Sequence, residues 1–417
     1  SSTLAQNDCA ARATPRLAAK QRLARARMEH QQALDLPRPY SSSLMSQHME
    51  PMPHAGITRL KTYVPGKPVE DLKRELGLAS IIKLASNENP LGTSPAAEDA
   101  LAHFDGALYR YPDGAGYEIK SALAERHGVA TGQLTLGNGS DDVLELTARV
   151  FLGPGRNAVV SQHAFAVYPI VSQAVGATVR EVPALGPAAD MPYGHDLEAM
   201  LGAVNEETAV IFMASPNNPT GTWIDNATLA GFLDRVPSNV VVVLDQAYIE
   251  YQSVAEHPPV TEWLARYSNL IVTRTFSKIY GMAALRFGYG LSSPRIADFL
   301  NRVRAPFNVN TLAMHCAKAA LADTAFIERS VASNTAERAS LARELEARGF
   351  ACLPSQANFV TFDTGRDAQE VFDALLREGM IVRPLASYDL AQHLRVTVGS
   401  SAESQAFLSA LDTVMSQ

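Results

Sequence analysis

The chain has 417 residues, 47% of them apolar and 19% charged. At about 150 residues per domain, that length gives two or three folding units with a sizeable core and excludes a disulfide-stapled miniprotein, while the composition, with 26 Gly and 24 Pro, excludes a collagen-like repeat or wholesale disorder. The formal charge of -7 lacks the positive excess of a nucleic-acid surface, and no apolar run approaches the ~20 residues needed to span a bilayer.

Cys9, Cys316 and Cys352 lie far apart and form no CxxC or metal-ligand cluster, so unpaired thiols in a reducing, cytoplasmic setting are expected, with no metal. Residues 11–30 carry Arg12, Arg16, Lys20, Arg22, Arg25 and Arg27 against Glu29 alone. Such a basic, Ala-rich helix fits an organellar leader remnant, a partner-binding helix or a solvated arm. The Ser-rich SSSLMSQ and Pro-containing MEPMPHAG follow, so residues 1–80 read as an N-terminal extension and arm. Within 63–90, a short polar helix gives way to a turn-rich extended piece.

The middle of the chain alternates two patterns. NAVVSQ, ETAVIFMAS, NVVVVLD and NLIVTR read as buried strands, and DDVLELTARVFL, FAVYPIVSQAVG, HDLEAMLGAV and NATLAGFLDRV as helices. VVVVL lacks polar alternation, as a central strand covered on both faces should. The fold class is therefore α/β, a mostly parallel sheet flanked by helices over residues 81–305. Residues 306–417 change character: a long helical stretch, then ANFVTFDTG, a helix in DAQEVFDALLREG, the strand-like MIVRPL and LRVTVG, and a terminal helix. A smaller C-terminal α/β domain is expected there.

Three stretches carry chemistry. In LTLGNGSDD, Gly137 and Gly139 permit close approach, Ser140 can cap a helix starting near Asp141, and the amides of that helix start can hold a phosphate. SPNNPTG after an apolar strand is a strong turn at the carboxyl end where α/β folds gather ligands, and Asp245, closing VVVVL, is followed by Tyr248. In TRTFSKIYGMAALRFGYG, Lys278 stands beside Ser277 and near Thr275, ahead of Arg286. Solvated charges are one reading of that run; a Schiff-base lysine beside a phosphate held by Arg286 and the hydroxyls is the other.

LASNENPLG, RYPDG, GNGSDDVLEL, SQHAFAVYP, SPNNPTG, FSKIYGMAALRFGYG, PFNVN and LRVTVG occur in an order that resembles fold-type I pyridoxal-phosphate aminotransferases, most closely the histidinol-phosphate aminotransferase family. The resemblance covers roughly three quarters of the chain. It implies pyridoxal 5′-phosphate as cofactor. Lys278 would bond the cofactor aldehyde and then carry the proton between substrate Cα and cofactor C4′, while Asp245 would keep the pyridine nitrogen protonated. Asn218 and Tyr248 would meet the 3′ oxygen, and Phe165 would stack on the ring. Ser140 and the Asp141 amide, with Thr275, Ser277 and Arg286, would form the phosphate cup.

Tyr111 matches a tyrosine that reaches the phosphate of a neighbouring subunit, implying a homodimer with shared active sites. Arg395 matches the arginine that pairs with the substrate anion, Asn87 resembles a substrate-lining position, and Arg383 is a second positive candidate. The implied reaction interconverts histidinol phosphate plus 2-oxoglutarate with imidazole-acetol phosphate plus glutamate; neither nucleic acid nor membrane is an expected partner. SPNNPTG stands where NPNNPTG is usual, and Phe165 where a tyrosine is commoner. An aromatic or broad-specificity aminotransferase, then a lyase or decarboxylase, then a noncatalytic scaffold are the alternatives.

Overall fold

The computed structural model describes residues 52–58, 60, 73, 74, 77 and 80–416. The basic helix expected over 11–30 lies outside them, as does most of the polar helix expected after Tyr63. Ile82–Lys83 (β1) precedes the helices Pro95–Ala102 (α1) and Tyr117–His127 (α2). Strand and helix then alternate through Leu134–Gly137 (β2), Ser140–Phe151 (α3), Asn157–Ser161 (β3), Val167–Ala174 (α4), Thr178–Val182 (β4) and Leu197–Gly202 (α5). The alternation continues with Thr208–Ala214 (β5), Asn226–Leu233 (α6), Val241–Asp245 (β6), Val260–Arg266 (α7), Leu270–Thr275 (β7) and Gly288–Ser292 (β8).

These strands form one seven-stranded sheet in the order β2-β8-β7-β6-β5-β3-β4. Pairs from β7 to β4 are parallel, and β8 runs antiparallel to both its neighbours. The absence of polar alternation in β5, β6 and β7 has a direct cause. Ile211, Met213, Val242, Leu244 and Val272 enter one apolar core, whereas Val210, Phe212, Val241, Val243 and Ile271 enter another. Successive side chains of a strand point to opposite faces, so a sheet covered on both faces needs apolar residues at every position.

Two strands escape the sequence pattern. β4 carries Thr178, Arg180 and Glu181 on the sheet edge, largely exposed, and β8 contains Gly288 and Gly290. Gly288 answers a packing demand: a Cβ there would sit 2.3 Å from the backbone nitrogen of Ser140 at the start of α3. That helix also differs from expectation at its first residue. Ser140 is inside the helix, and the cap is Gly139 at φ 84°, with no side-chain capping bond.

Beyond β8 come Pro294–Val303 (α8), Thr311–Ala322 (α9), Thr324–Ala347 (α10), Ala351–Cys352 (β9), Phe359–Asp363 (β10) and Ala368–Arg377 (α11). Met380–Ile381 (β11), Arg383–Leu385 (β12), Leu390–Thr397 (β13) and Ser401–Met415 (α12) complete the described chain. Asp323 divides the long helical stretch after Pro306, its side chain accepting from the Phe326 amide to cap α10. A four-stranded antiparallel sheet runs β12-β13-β10-β9. MIVRPL, which reads as one strand, is two: β11 pairs in parallel with β1, and β12 takes the edge beside β13. Pro384, lacking an N–H, is compatible with that edge.

Candidate active site

The parallel strands deliver their carboxyl ends to one place, where doubly wound sheets bind ligands. β6 ends in Asp245 and β7 in Thr275; β5 runs into Asn218 and β3 into Phe165. With Asn87 from the segment after β1, and Arg383 and Arg395 from the smaller sheet, they line a cavity of about 210 Å³. Ser140, Asp141, Tyr248, Ser277, Lys278 and Arg286 line it too, so every residue given a catalytic, cofactor or substrate role from the sequence is there except Tyr111.

One end of the cavity gathers polar donors. The Ser277 amide donates to Thr275 Oγ1 at 3.1 Å, and Arg286 Nη1 donates to Ser277 Oγ at 3.3 Å. Arg286 Nη2 lies 3.4 Å from Asp141 Oδ2. Arg286 itself adopts φ 58°, a left-handed conformation uncommon for a side-chain-bearing residue. Gly139 sits at φ 84°, where side-chain-bearing residues are strained, and its lack of a Cβ leaves room for Arg286 Nη2, which a Cβ would meet at 2.5 Å. Helix-start amides, two hydroxyls and an arginine fork fit a phosphate dianion.

Asp245 is 4% exposed. Its Oδ1 accepts from Thr273 Oγ1 at 3.0 Å and from the Ala247 amide at 3.2 Å, and its Oδ2 accepts from the Tyr168 hydroxyl at 2.9 Å. Burial raises its pKa to about 6 against the opposing pull of the Tyr168 and Thr273 bonds. Thr273 and Tyr168 escaped the sequence reading. The signal available for Tyr168 is its place three residues after Phe165, in a stretch whose sequence reads as a helix.

Lys278 Nζ donates to the Ser86 carbonyl at 3.0 Å and stands 5.8 Å from the centre of the Tyr248 ring. Burial, and after it the Arg395 cation, lower its pKa to about 8, bringing a neutral, nucleophilic amine within reach of ordinary conditions. The Tyr248 hydroxyl accepts from Asn87 Nδ2 at 2.9 Å, and burial pushes its pKa up to about 12.

Arg395 is buried, with its guanidinium 5.2 Å from the centre of the Phe359 ring. Its Nη1 donates to Asn218 Oδ1, and its Nη2 to the Ala85 carbonyl at 2.6 Å. Because Asn218 spends its oxygen on Arg395, its amide nitrogen is the group left to donate elsewhere. Tyr111 lies apart, 82% exposed and stacked on Phe307 at 4.7 Å between ring centres.

A deep lysine of lowered pKa, a buried carboxylate and a cluster of hydroxyls and an arginine beside a helix start share one cavity, a grouping expected of a catalytic site rather than of a packed core. Residues 79–411 match the model of the aminotransferase class I and II family, and the chain belongs to that family. Histidinol-phosphate aminotransferase 2 of Methylococcus capsulatus is 53% identical over 86% of this chain and 97% of its own length. The histidinol-phosphate aminotransferase 2 of Pseudomonas aeruginosa is 54% identical over 86% of this chain and 96% of its own. Among solved structures, the histidinol-phosphate aminotransferase of Sinorhizobium meliloti in complex with pyridoxal-5′-phosphate matches with a TM-score of 0.80 and 29% identity, covering 88% of this chain and 99% of that one.

Proposed function

We propose that this chain is a pyridoxal-phosphate-dependent histidinol-phosphate aminotransferase, exchanging the amino group between histidinol phosphate and 2-oxoglutarate. The observation that carries the reading is the shared cavity of Lys278, Asp245, Arg286 and Arg395, supported by relatives of that name at 53% and 54% identity over most of the chain. When bound, pyridoxal 5′-phosphate supplies an aldehyde carbon for the amino group and a ring that withdraws electrons from the substrate Cα.

The protein's part is to hold and to move protons. Ser140, the Asp141 amide, Thr275, Ser277 and Arg286 hold the phosphate. Asn218 and Tyr248 reach the ring oxygen, and Phe165 covers the ring. Asp245 keeps a proton on the ring nitrogen through its negative charge. The Lys278 amine takes a proton from the substrate Cα and returns it on the other side of the exchange. Arg395 receives the anionic end of each substrate in turn, the phosphate of histidinol phosphate and a carboxylate of 2-oxoglutarate, with Arg383 and Asn87 beside it.

The reading includes a cytoplasmic homodimer. Leu108, Tyr109, Tyr111 and Tyr117, close in sequence, are 71–84% exposed, and Tyr111 stacks on the exposed Phe307; exposed large apolar side chains so concentrated suit a partner. In the dimer, Tyr111 of each subunit reaches the phosphate cup of the other. The decisive experiment is a panel of first half-reactions followed by stopped-flow absorbance, comparing histidinol phosphate with histidine, phenylalanine and aspartate. Histidinol phosphate should give the highest rate over binding constant; a faster unphosphorylated donor would overturn the substrate assignment.

A further inference from the structure

Tyr168 is fully enclosed, yet it borders the cavity. Its ring stacks on Phe212 at 5.2 Å and 7° and meets Phe165 edge-on at 5.7 Å. Those contacts would be made equally well by phenylalanine, so they do not account for the one polar atom the residue carries into the core. That atom donates to Asp245 Oδ2.

A carboxylate offers about four lone-pair directions, two on each oxygen. On Asp245, Oδ1 has both engaged, by Thr273 and by the Ala247 amide, whereas Oδ2 has one engaged, by Tyr168. Oδ2 therefore keeps one direction for a further donor. We infer that Tyr168 is a positioning residue for amino transfer: its hydroxyl orients Asp245 so that the remaining lone pair of Oδ2 meets the cofactor ring nitrogen, and it helps hold that carboxylate ionised in a buried place. The inference rests on the proposed pairing of Asp245 with the ring nitrogen.

The phenol suits this task because it does not ionise itself. Burial and the neighbouring Asp245 charge raise its pKa well above the usual tyrosine value, so it remains a donor throughout the working range. Among the described residues, the other titratable and charged groups that share the cavity with Asp245 are Asp141, whose charge opposes ionisation, the phenols Tyr248 and Tyr388, and the cations Lys278, Arg286, Arg383 and Arg395. None of these is hydrogen-bonded to the carboxylate, whereas Tyr168 donates to it.

The test is a titration of the Asp245 carboxyl by carbon-13 NMR in the cofactor-free protein, with Tyr168→Phe and with 3-fluorotyrosine placed at position 168. Tyr168→Phe should move the midpoint up by about one pH unit, the order expected for losing one hydrogen bond to a charge, and the lost ionisation should weaken cofactor retention at pH 7 about twofold. The fluorinated ring keeps the shape and donates more strongly, so it should move the midpoint down; it carries the test alone if Tyr168→Phe does not fold. A midpoint unmoved by these changes overturns the role of Tyr168. Nitrogen-15 NMR of ring-labelled cofactor separates the underlying reading: a ring-nitrogen signal unchanged by Asp245→Asn would overturn the pairing of Asp245 with the ring.

Discussion

Arg383 and Arg395 lie directly opposite one another across β12 and β13. Opposed residues of an antiparallel pair present their side chains on the same face, and two like charges there repel. Both line the cavity, so an anion held between them relieves that repulsion and gains from both. Arg395→Ala should lower the rate over binding constant for histidinol phosphate and for 2-oxoglutarate alike, by ten- to hundredfold, the range for losing a charged hydrogen bond. Arg383→Ala should produce a smaller loss. Unchanged stopped-flow rates for both substrates in Arg395→Ala would place the anion subsite elsewhere.

Lys278 sets a pH profile. With its pKa lowered to about 8, the neutral fraction in the cofactor-free protein should rise about tenfold per pH unit below that value and level off above it. The rate at which the empty protein captures the cofactor aldehyde, followed by absorbance, should trace this curve. Borohydride reduction followed by peptide mass spectrometry should find the cofactor mass on the peptide containing Lys278. Lys278→Ala should still take up cofactor through the phosphate cup but lose efficient proton transfer.

Asp245 opposes stability to activity. Its carboxyl pKa rises from 3.8 to about 6 on folding, so the stability it contributes is complete below 3.8 and is lost as the pH climbs through about 6. Two pH units correspond to at most about 3 kcal/mol. In the cofactor-free state, Asp245→Asn should therefore resist urea better than the parent at pH 7.5, by about 1–3 kcal/mol, while the first half-reaction falls by orders of magnitude. A variant with parent-like half-reaction rates would remove Asp245 from the chemistry.

The shared site can be read from mixed dimers of one Tyr111→Phe chain and one Lys278→Ala chain. If Tyr111 serves the neighbouring cup, both lesions fall in one pocket and the other is intact, so the mixed dimer keeps about half the parental activity. If Tyr111 served its own chain, each pocket would carry one lesion and neither would be native. Ultracentrifugation of a dilute, fully active monomer would end the proposal.

The parts most legible in the sequence were those dictated by one-dimensional patterns. Buried parallel strands show as unbroken apolar runs because both faces are covered, and the aminotransferase motifs retain their order. Less legible was whatever depends on a neighbour distant in sequence. Gly288 and Gly290 hide β8 because their reason for being glycine is the adjacent helix start. Tyr168 looks like one more aromatic until its hydroxyl is seen on Asp245. MIVRPL divides because β1 claims one half and β13 the other, a competition that local pattern cannot express.

The residues after β1 have a consequence for the order in which this molecule can become functional. The Asn87 amide donates to Thr397 Oγ1 across 310 positions of chain, Asn358 Nδ2 donates to the Asn87 carbonyl, and the Thr397 amide donates to the Leu84 carbonyl. One wall of the cavity, including the Ser86 carbonyl that receives Lys278, is thus fastened by the last strand to be synthesised. Contacts this distant form late in folding. A nascent chain halted before Leu390 has Lys278, Asp245, Thr275, Ser277 and Arg286 already translated, but lacks the strand that completes their enclosure, so the closed cavity must await nearly the whole chain.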